Sequence, residues 1–180
     1  FIDTGFERVD ITEDRTGLPL RVRFVVLDAT TCAPIQGAAV ELWHADAGGA
    51  YSGFDISDGN IEDYAGLTFL RGFQVSDAQG GVEFESIYPG WYPGRAPHVH
   101  LSVLVDGNKL VTTQCYFDDA ISDLVYAQPP YDVRGTHDTR NADDFVSRFG
   151  GAEGTDPLLF ELEASSDGYD ARFVLAVART

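Results

Sequence analysis

The chain has 180 residues and 44% hydrophobic content, enough for one sizeable core and short for two. Its 29 acidic residues face 12 basic ones, giving a formal charge of −17 and a pI near 4.3, with Lys109 the single lysine. Such a surface repels phosphate backbones and anionic lipid, which argues against nucleic-acid and membrane partners, and no apolar run approaches a membrane span.

In chain order, residues 20–28 (LRVRFVVLD) place Leu20, Val22, Phe24 and Val26 on one face, the period of a half-buried strand. Residues 37–43 (GAAVELW) and 70–75 (LRGFQV) read as strands, and SDAQGG joins the latter to 82–87 (VEFESI) in an expected hairpin. Residues 98–105 (HVHLSVLV) and 110–117 (LVTTQCYF) flank the turn Asp106-Gly107-Asn108, and 157–164 with 171–178 form a last pair. Short helices are expected at 118–126, capped by an acid, and at 141–149. At least seven short strands with so little helix predict an all-β, mostly antiparallel sandwich, read as a single domain over 1–180. The loops 52–68 and 128–144 are the expected pocket walls.

Cys32 and Cys115 leave two readings open. A disulfide between them would close a long loop, worth roughly 4–5 kcal/mol in the chain-entropy model; otherwise they are two unrelated thiols. Neither lies in a Cys-x-x-Cys pattern, which argues against a zinc-thiolate site.

Chemistry concentrates in residues 88–100, YPGWYPGRAPHVH. In the strand that follows, Val99, Leu101, Val103 and Val105 share the core face, so His98, His100 and Ser102 point the other way. Two parallel imidazoles are a metal-ligand pattern. One completion uses His44 and Asp46 of ELWHAD, a nitrogen-rich zinc or copper site. The other uses tyrosine, from Tyr51 and from Tyr88 or Tyr92, because a hard trivalent cation stabilises phenolate. The residue pattern alone leaves both open. A non-catalytic transthyretin-like binding module, with incidental histidines, is a third reading.

Five ordered blocks carry a resemblance: CAPIQGAAVELWHAD (32–46), GAYSGF (49–54), FLRGFQV (69–75), YPGWYPGRAPHVH (88–100) and TTQCYF (112–117). Over roughly residues 10–131 the chain resembles the intradiol ring-cleavage dioxygenases, the catechol and protocatechuate dioxygenase family. That resemblance implies a non-haem Fe(III) held by Tyr51, Tyr92, His98 and His100, with Tyr88 packing at a strand end. It implies cleavage of catechol-type rings by O2 between the two hydroxyl-bearing carbons, giving cis,cis-muconates, with Tyr92 the ligand that leaves and takes up a proton. Arg95 is then expected near the negative charge developing on the ring, the plain alternative being a solvated loop charge. Gln114 is expected to help position ligand or hydroxide, with Cys115 turned to the core. By the same resemblance His44 and Asp46 are structural, while His137 matches nothing and reads as exposed.

The chain starts just before the sandwich, like the shorter secreted branch of the family, without the helical dimerisation segment of catechol dioxygenases. Acidity, one lysine and a disulfide would fit a secreted, extracellular setting, and a leader or additional module outside these residues is expected. No basic cluster selects a carboxylated ring, so catechol and substituted catechols are the expected substrates, with hydroxyquinol also open.

Overall fold

The computed structural model describes residues 6–146 and 158–178. Eight strands form two four-stranded sheets: β1 (Pro19–Asp28), β4 (Gly81–Ile87), β8 (Tyr169–Val177) and β7 (Glu161–Ala164) in the order β4-β1-β8-β7, and β3 (Arg71–Val75), β2 (Ala39–Trp43), β5 (His98–Val105) and β6 (Asn108–Tyr116) in the order β3-β2-β5-β6. All pairings within the sheets are antiparallel except β1 with β8. The architecture is the expected all-β sandwich.

Alternation explains the layering. Leu20, Val22, Phe24 and Val26 of β1 are buried in one core with Val40 and Leu42 of β2 and Val99, Leu101 and Val103 of β5. Each strand thus turns its apolar row inward, and the opposite face of the second sheet is left for the histidines. The turn between β5 and β6 places Asp106 and Gly107 at φ 50° and 77°, the left-handed pair that a two-residue hairpin connection requires.

Two expectations are corrected and one open reading is decided. Residues 70–75 and 82–87 do not form a hairpin: β3 pairs with β2, whereas β4 pairs with β1 in the other sheet. The chain crosses between layers over residues 77–80: buried Ser76 is still held to the segment before β2, donating to the Ile35 carbonyl at 2.6 Å and accepting from Ala38 N at 2.9 Å, whereas the Gly80 carbonyl already accepts from Val26 N of β1 at 2.9 Å. The helix expected at 118–126 is α1 (Asp119–Tyr126), with Asp118 accepting from the Ala120 and Ile121 amides. Residues 141–146 of the second expected helix form turns instead, and the rest of it, like Pro157 of the expected strand, lies outside the described residues. Cys32 and Cys115 are both free thiols, one exposed and one in the core, so no disulfide supports a secreted setting. Among the described residues no helix is long and apolar enough to cross a membrane.

Candidate functional site

The site grows from strand register. On the outer face of the second sheet, Trp43, His100 and Gln114 are direct neighbours across β2, β5 and β6, and His98 sits opposite Tyr116 one row along. Trp43 stacks on His100 with ring centroids 4.9 Å apart and planes 9° from parallel. Two loops then bring tyrosine over this face. After β2, Asp46 Oδ1 accepts from the Gly48 and Ala50 amides at 2.9 and 3.0 Å, forming the turn that delivers Tyr51. Asn60 clasps the Tyr51 backbone from both sides, accepting from its amide at 3.0 Å and donating to its carbonyl at 2.8 Å.

The second loop shows why the sequence carries two Pro-Gly pairs. A Cβ on Gly90 would meet the Asp46 and Ala47 carbonyl oxygens at 2.4 and 2.5 Å, so only glycine lets the two loops touch. Gly94, at φ 80°, follows Pro93 in a tight turn closed by Arg95 N donating to the Tyr92 carbonyl at 3.3 Å. That turn sets Tyr92 and Arg95 side by side.

Four donor atoms converge. Tyr51 Oη, Tyr92 Oη and His100 Nε2 lie 3.3, 3.1 and 3.2 Å from His98 Nε2. Separations near 3 Å are those of neighbouring ligands on a metal whose bonds are about 2.1 Å long. His98 Nδ1 faces the Ala96 carbonyl at 2.6 Å; a carbonyl only accepts, so the proton sits on Nδ1 and the Nε2 lone pair points into the cluster. Burial, aided by the Arg95 guanidinium, holds the His98 pKa down at about 4, and burial with His98 alongside holds His100 at about 2. Burial pushes the Tyr51 phenol well above its ordinary value and also raises Tyr92, the latter against the lowering pull of Tyr51 and Arg95. Without a cation all four groups are therefore neutral; a bound cation supplies the charge that makes phenolates stable there. The donor set fits a hard trivalent ion, two phenolates offsetting two of its charges.

Beside this cluster lies a charge relay of fixed orientation. Arg95 donates from Nε to Asp144 at 2.9 Å, from Nη1 to Tyr92 Oη at 3.2 Å and from Nη2 to Tyr116 Oη at 3.2 Å, and it also bonds Gln114 Oε1. Asp144, fully buried, also accepts from the Ala96 amide at 2.8 Å. Gln114 Oε1 takes a further bond from Tyr116 at 2.7 Å, leaving its Nε2 3.3 Å from His100 Nδ1. Arg95 is thus a paired, largely covered cation rather than a solvated loop charge. The cavity next to the cluster measures about 420 Å³ and is walled by Trp43, Tyr51, Phe54, Ile61, Tyr92 and His100, among others.

The other candidates go elsewhere. Tyr88 is 0% exposed, packs on Phe117 at 4.5 Å and bonds Ser122 at 2.8 Å, so it belongs to the core. The zinc or copper set does not assemble: His44 is buried with Nδ1 at the Ala45 carbonyl and Nε2 at Ser86, while Asp46 is spent on its turn. Among the described residues no group of three or more His, Cys, Asp or Glu side chains could hold a metal. His137, expected exposed, is 4% exposed; its two nitrogens lie 3.4 and 3.8 Å from Asp119 and Asp123, one turn apart on α1. Trp43, Asn60, Tyr116 and Asp144 were not singled out by the sequence. Trp43 and Tyr116 stand in the blocks that carry the resemblance, whereas Asn60 and Asp144 carry no local signal.

The family model described as "Dioxygenase" matches residues 2–143. The protocatechuate 3,4-dioxygenase beta chain of Burkholderia cepacia is 33% identical over 156 residues, 78% of this chain and 62% of that one. Catechol 1,2-dioxygenase 1 of Acinetobacter lwoffii is 30% identical over 131 residues, 63% of this chain and 40% of that protein, so the chain spans about half the length of the curated relatives it matches. The solved structure of an intradiol ring-cleavage dioxygenase from Tetranychus urticae superposes with a TM-score of 0.87 at 32% identity, covering 99% of this chain and 89% of that one. With a model match over most of its length and the tyrosine–histidine cluster on the outer face of its second sheet, the chain belongs to the intradiol dioxygenase family.

Proposed function

We propose that the chain is a ferric intradiol dioxygenase that opens catechol-type rings between their two hydroxyl-bearing carbons. The observation that carries this reading is the meeting of Tyr51 Oη, Tyr92 Oη and His100 Nε2 around His98 Nε2, beside a cavity of about 420 Å³. Tyr51, Tyr92, His98 and His100 would hold Fe(III). When bound, the ion supplies Lewis acidity and positive charge for a chelating diol dianion.

The protein's own groups do the rest. His98 is oriented by its bond to the Ala96 carbonyl, and Trp43 keeps the His100 ring upright by stacking. Tyr92 Oη takes up one of the protons that the diol gives up on binding. Arg95 Nη1, 3.2 Å from that oxygen, steadies it while it is anionic and faces charge gathering on the ring afterwards. Asp144 and Gln114 hold the guanidinium so that it need not reorganise. Both atoms of O2 enter the product and the broken ring bond supplies the electrons, so a muconate forms without a separate reductant.

The test is to load the chain with iron, record the visible spectrum, and add catechol first without and then with oxygen. Tyrosinate-to-iron absorption that catechol shifts anaerobically, followed by a cis,cis-muconate, is expected. A colourless protein, or one that leaves catechol intact under oxygen, sinks the reading and leaves the binding-module alternative standing.

A further inference from the structure

The cavity beside the cluster has an uneven charge distribution. Among the described residues that line it, Asp58 is the only one with a charged side chain. It sits in the single helical turn Ile56–Asp58, where its Oδ2 accepts from the Asp55 amide at 3.1 Å. Asp58 is exposed, and among the described residues its Oδ1 has no hydrogen-bond partner, so that oxygen is free to meet a ligand's cation. Phe54 and Ile61, each 40% exposed, line the same cavity with apolar surface.

The nearby cations do not offset this carboxylate from inside. Arg95 is paired with buried Asp144. Arg71 lies behind the aromatic wall, 5.8 Å from the Trp43 ring centre and 5.9 Å from that of Phe54, donating to the Ser52 carbonyl in the field of Glu41. Arg134 bonds the Gly48 carbonyl and covers Trp91. A ring substituent reaching outward from the cluster therefore meets one carboxylate and an aromatic face, inside a protein of formal charge −17.

We infer that Asp58 determines substrate preference and that the preferred rings are catechols whose side chain ends in an ammonium group. The inference rests on the ring-cleavage reading. An ammonium finds both a carboxylate and the face of Phe54, whereas a carboxylate in the same place meets like charge and no lining cation. Exposed pairs of this kind are individually weak, but attraction for one sign and repulsion for the other compound into about a tenfold preference in kcat/KM.

The experiment compares three catechols of equal reach on the iron-loaded full chain: aminoethyl-, propyl- and carboxyethyl-substituted rings. Oxygen uptake gives the rates and mass spectrometry the products, at low salt and at about 1 M salt, where screening shortens to about 3 Å. The expected order is aminoethyl above propyl above carboxyethyl, with the spread collapsing at high salt and in Asp58→Asn. Equal rates overturn the role of Asp58 and show no charge selection, and a faster carboxyethyl ring overturns it and hands selection to Arg71; either leaves ring cleavage intact. A spread that persists in Asp58→Asn also overturns it. Failure to cleave any of the three removes the ring-cleavage reading itself. Should Asp58→Asn fold poorly, the salt dependence of the parent chain decides alone.

Discussion

His98 and His100 point their Nε2 atoms at each other across 3.2 Å, and neither carries a charge at neutral pH. His98 keeps its proton on Nδ1, so the metal-free contact is one His100 N–H donating to a bare His98 nitrogen. A cation entering the cluster replaces that single hydrogen bond with ligand bonds and turns two neutral phenols into phenolates. Tyr51→Phe removes one of the four converging donors and is expected to weaken iron binding by more than the ~10–100-fold typical of outer supporting groups. Tyr92→Phe is expected to keep more of the metal but lose turnover, because it removes the proton acceptor. Metal analysis and visible absorption check both. Full activity with unchanged colour in Tyr51→Phe would withdraw it as a ligand.

Arg95 joins the cluster to Asp144 across 49 positions of sequence. Arg95→Gln should leave iron and colour in place and lower kcat by about 10²–10³, the usual effect of losing one preorganised charge-stabilising donor. Asp144→Asn should act in the same direction through Arg95, since the guanidinium loses its buried counter-charge and its aim. A change confined to KM, with kcat intact, would show that Arg95 contributes binding rather than stabilisation of developing charge.

Tyr88→Phe separates the two tyrosines of the Pro-Gly run. Its hydroxyl bonds Ser122 at 2.8 Å in the core, so its loss should cost about 1–2 kcal/mol of stability and leave the iron absorption untouched. Urea unfolding and the visible spectrum report the two effects independently; bleaching of the iron band would make Tyr88 a ligand after all.

The inward rows of β1 and β5 were legible because a period of two needs no partner to be read. The same alternation set His98 and His100 on the outer face. The pairing of strands was not legible in this way. SDAQGG announces a chain reversal, but turn chemistry does not say whether the next strand returns to the same sheet, and here Gly80 already pairs with Val26 of the other one. The neighbours of the histidines depend on that pairing: Trp43 reaches His100 through the register of β2 with β5, and Gln114 through that of β5 with β6. Asp144 and His137 lie in a segment without periodicity, and each is buried by partners far away in sequence. The choice of Tyr92 over Tyr88 rested on resemblance, since both precede a proline by one residue.

His44 makes the acid sensitivity of the fold measurable. Full burial holds its pKa at about 4 against an ordinary 6.5, with Nε2 2.7 Å from Ser86 and Nδ1 2.8 Å from the Ala45 carbonyl. Above pH 6.5 the ring is neutral in both folded and unfolded chains and contributes no pH dependence. Between 6.5 and about 4 the unfolded chain takes a proton that the folded chain refuses, so stability falls as pH falls. Below about 4 both states are protonated and the loss levels off. From pH 7 to pH 5 this one group should remove about 2 kcal/mol. His98 and His100 act with the same sign in the metal-free protein, so parent and variant must be compared in the same metal state. His44→Gln should flatten the decline by that amount in urea unfolding series while keeping iron colour and turnover, because Gln can still bond Ser86. An identical slope in the variant would mean that His44 does not carry the effect, and loss of colour would return it to the metal site.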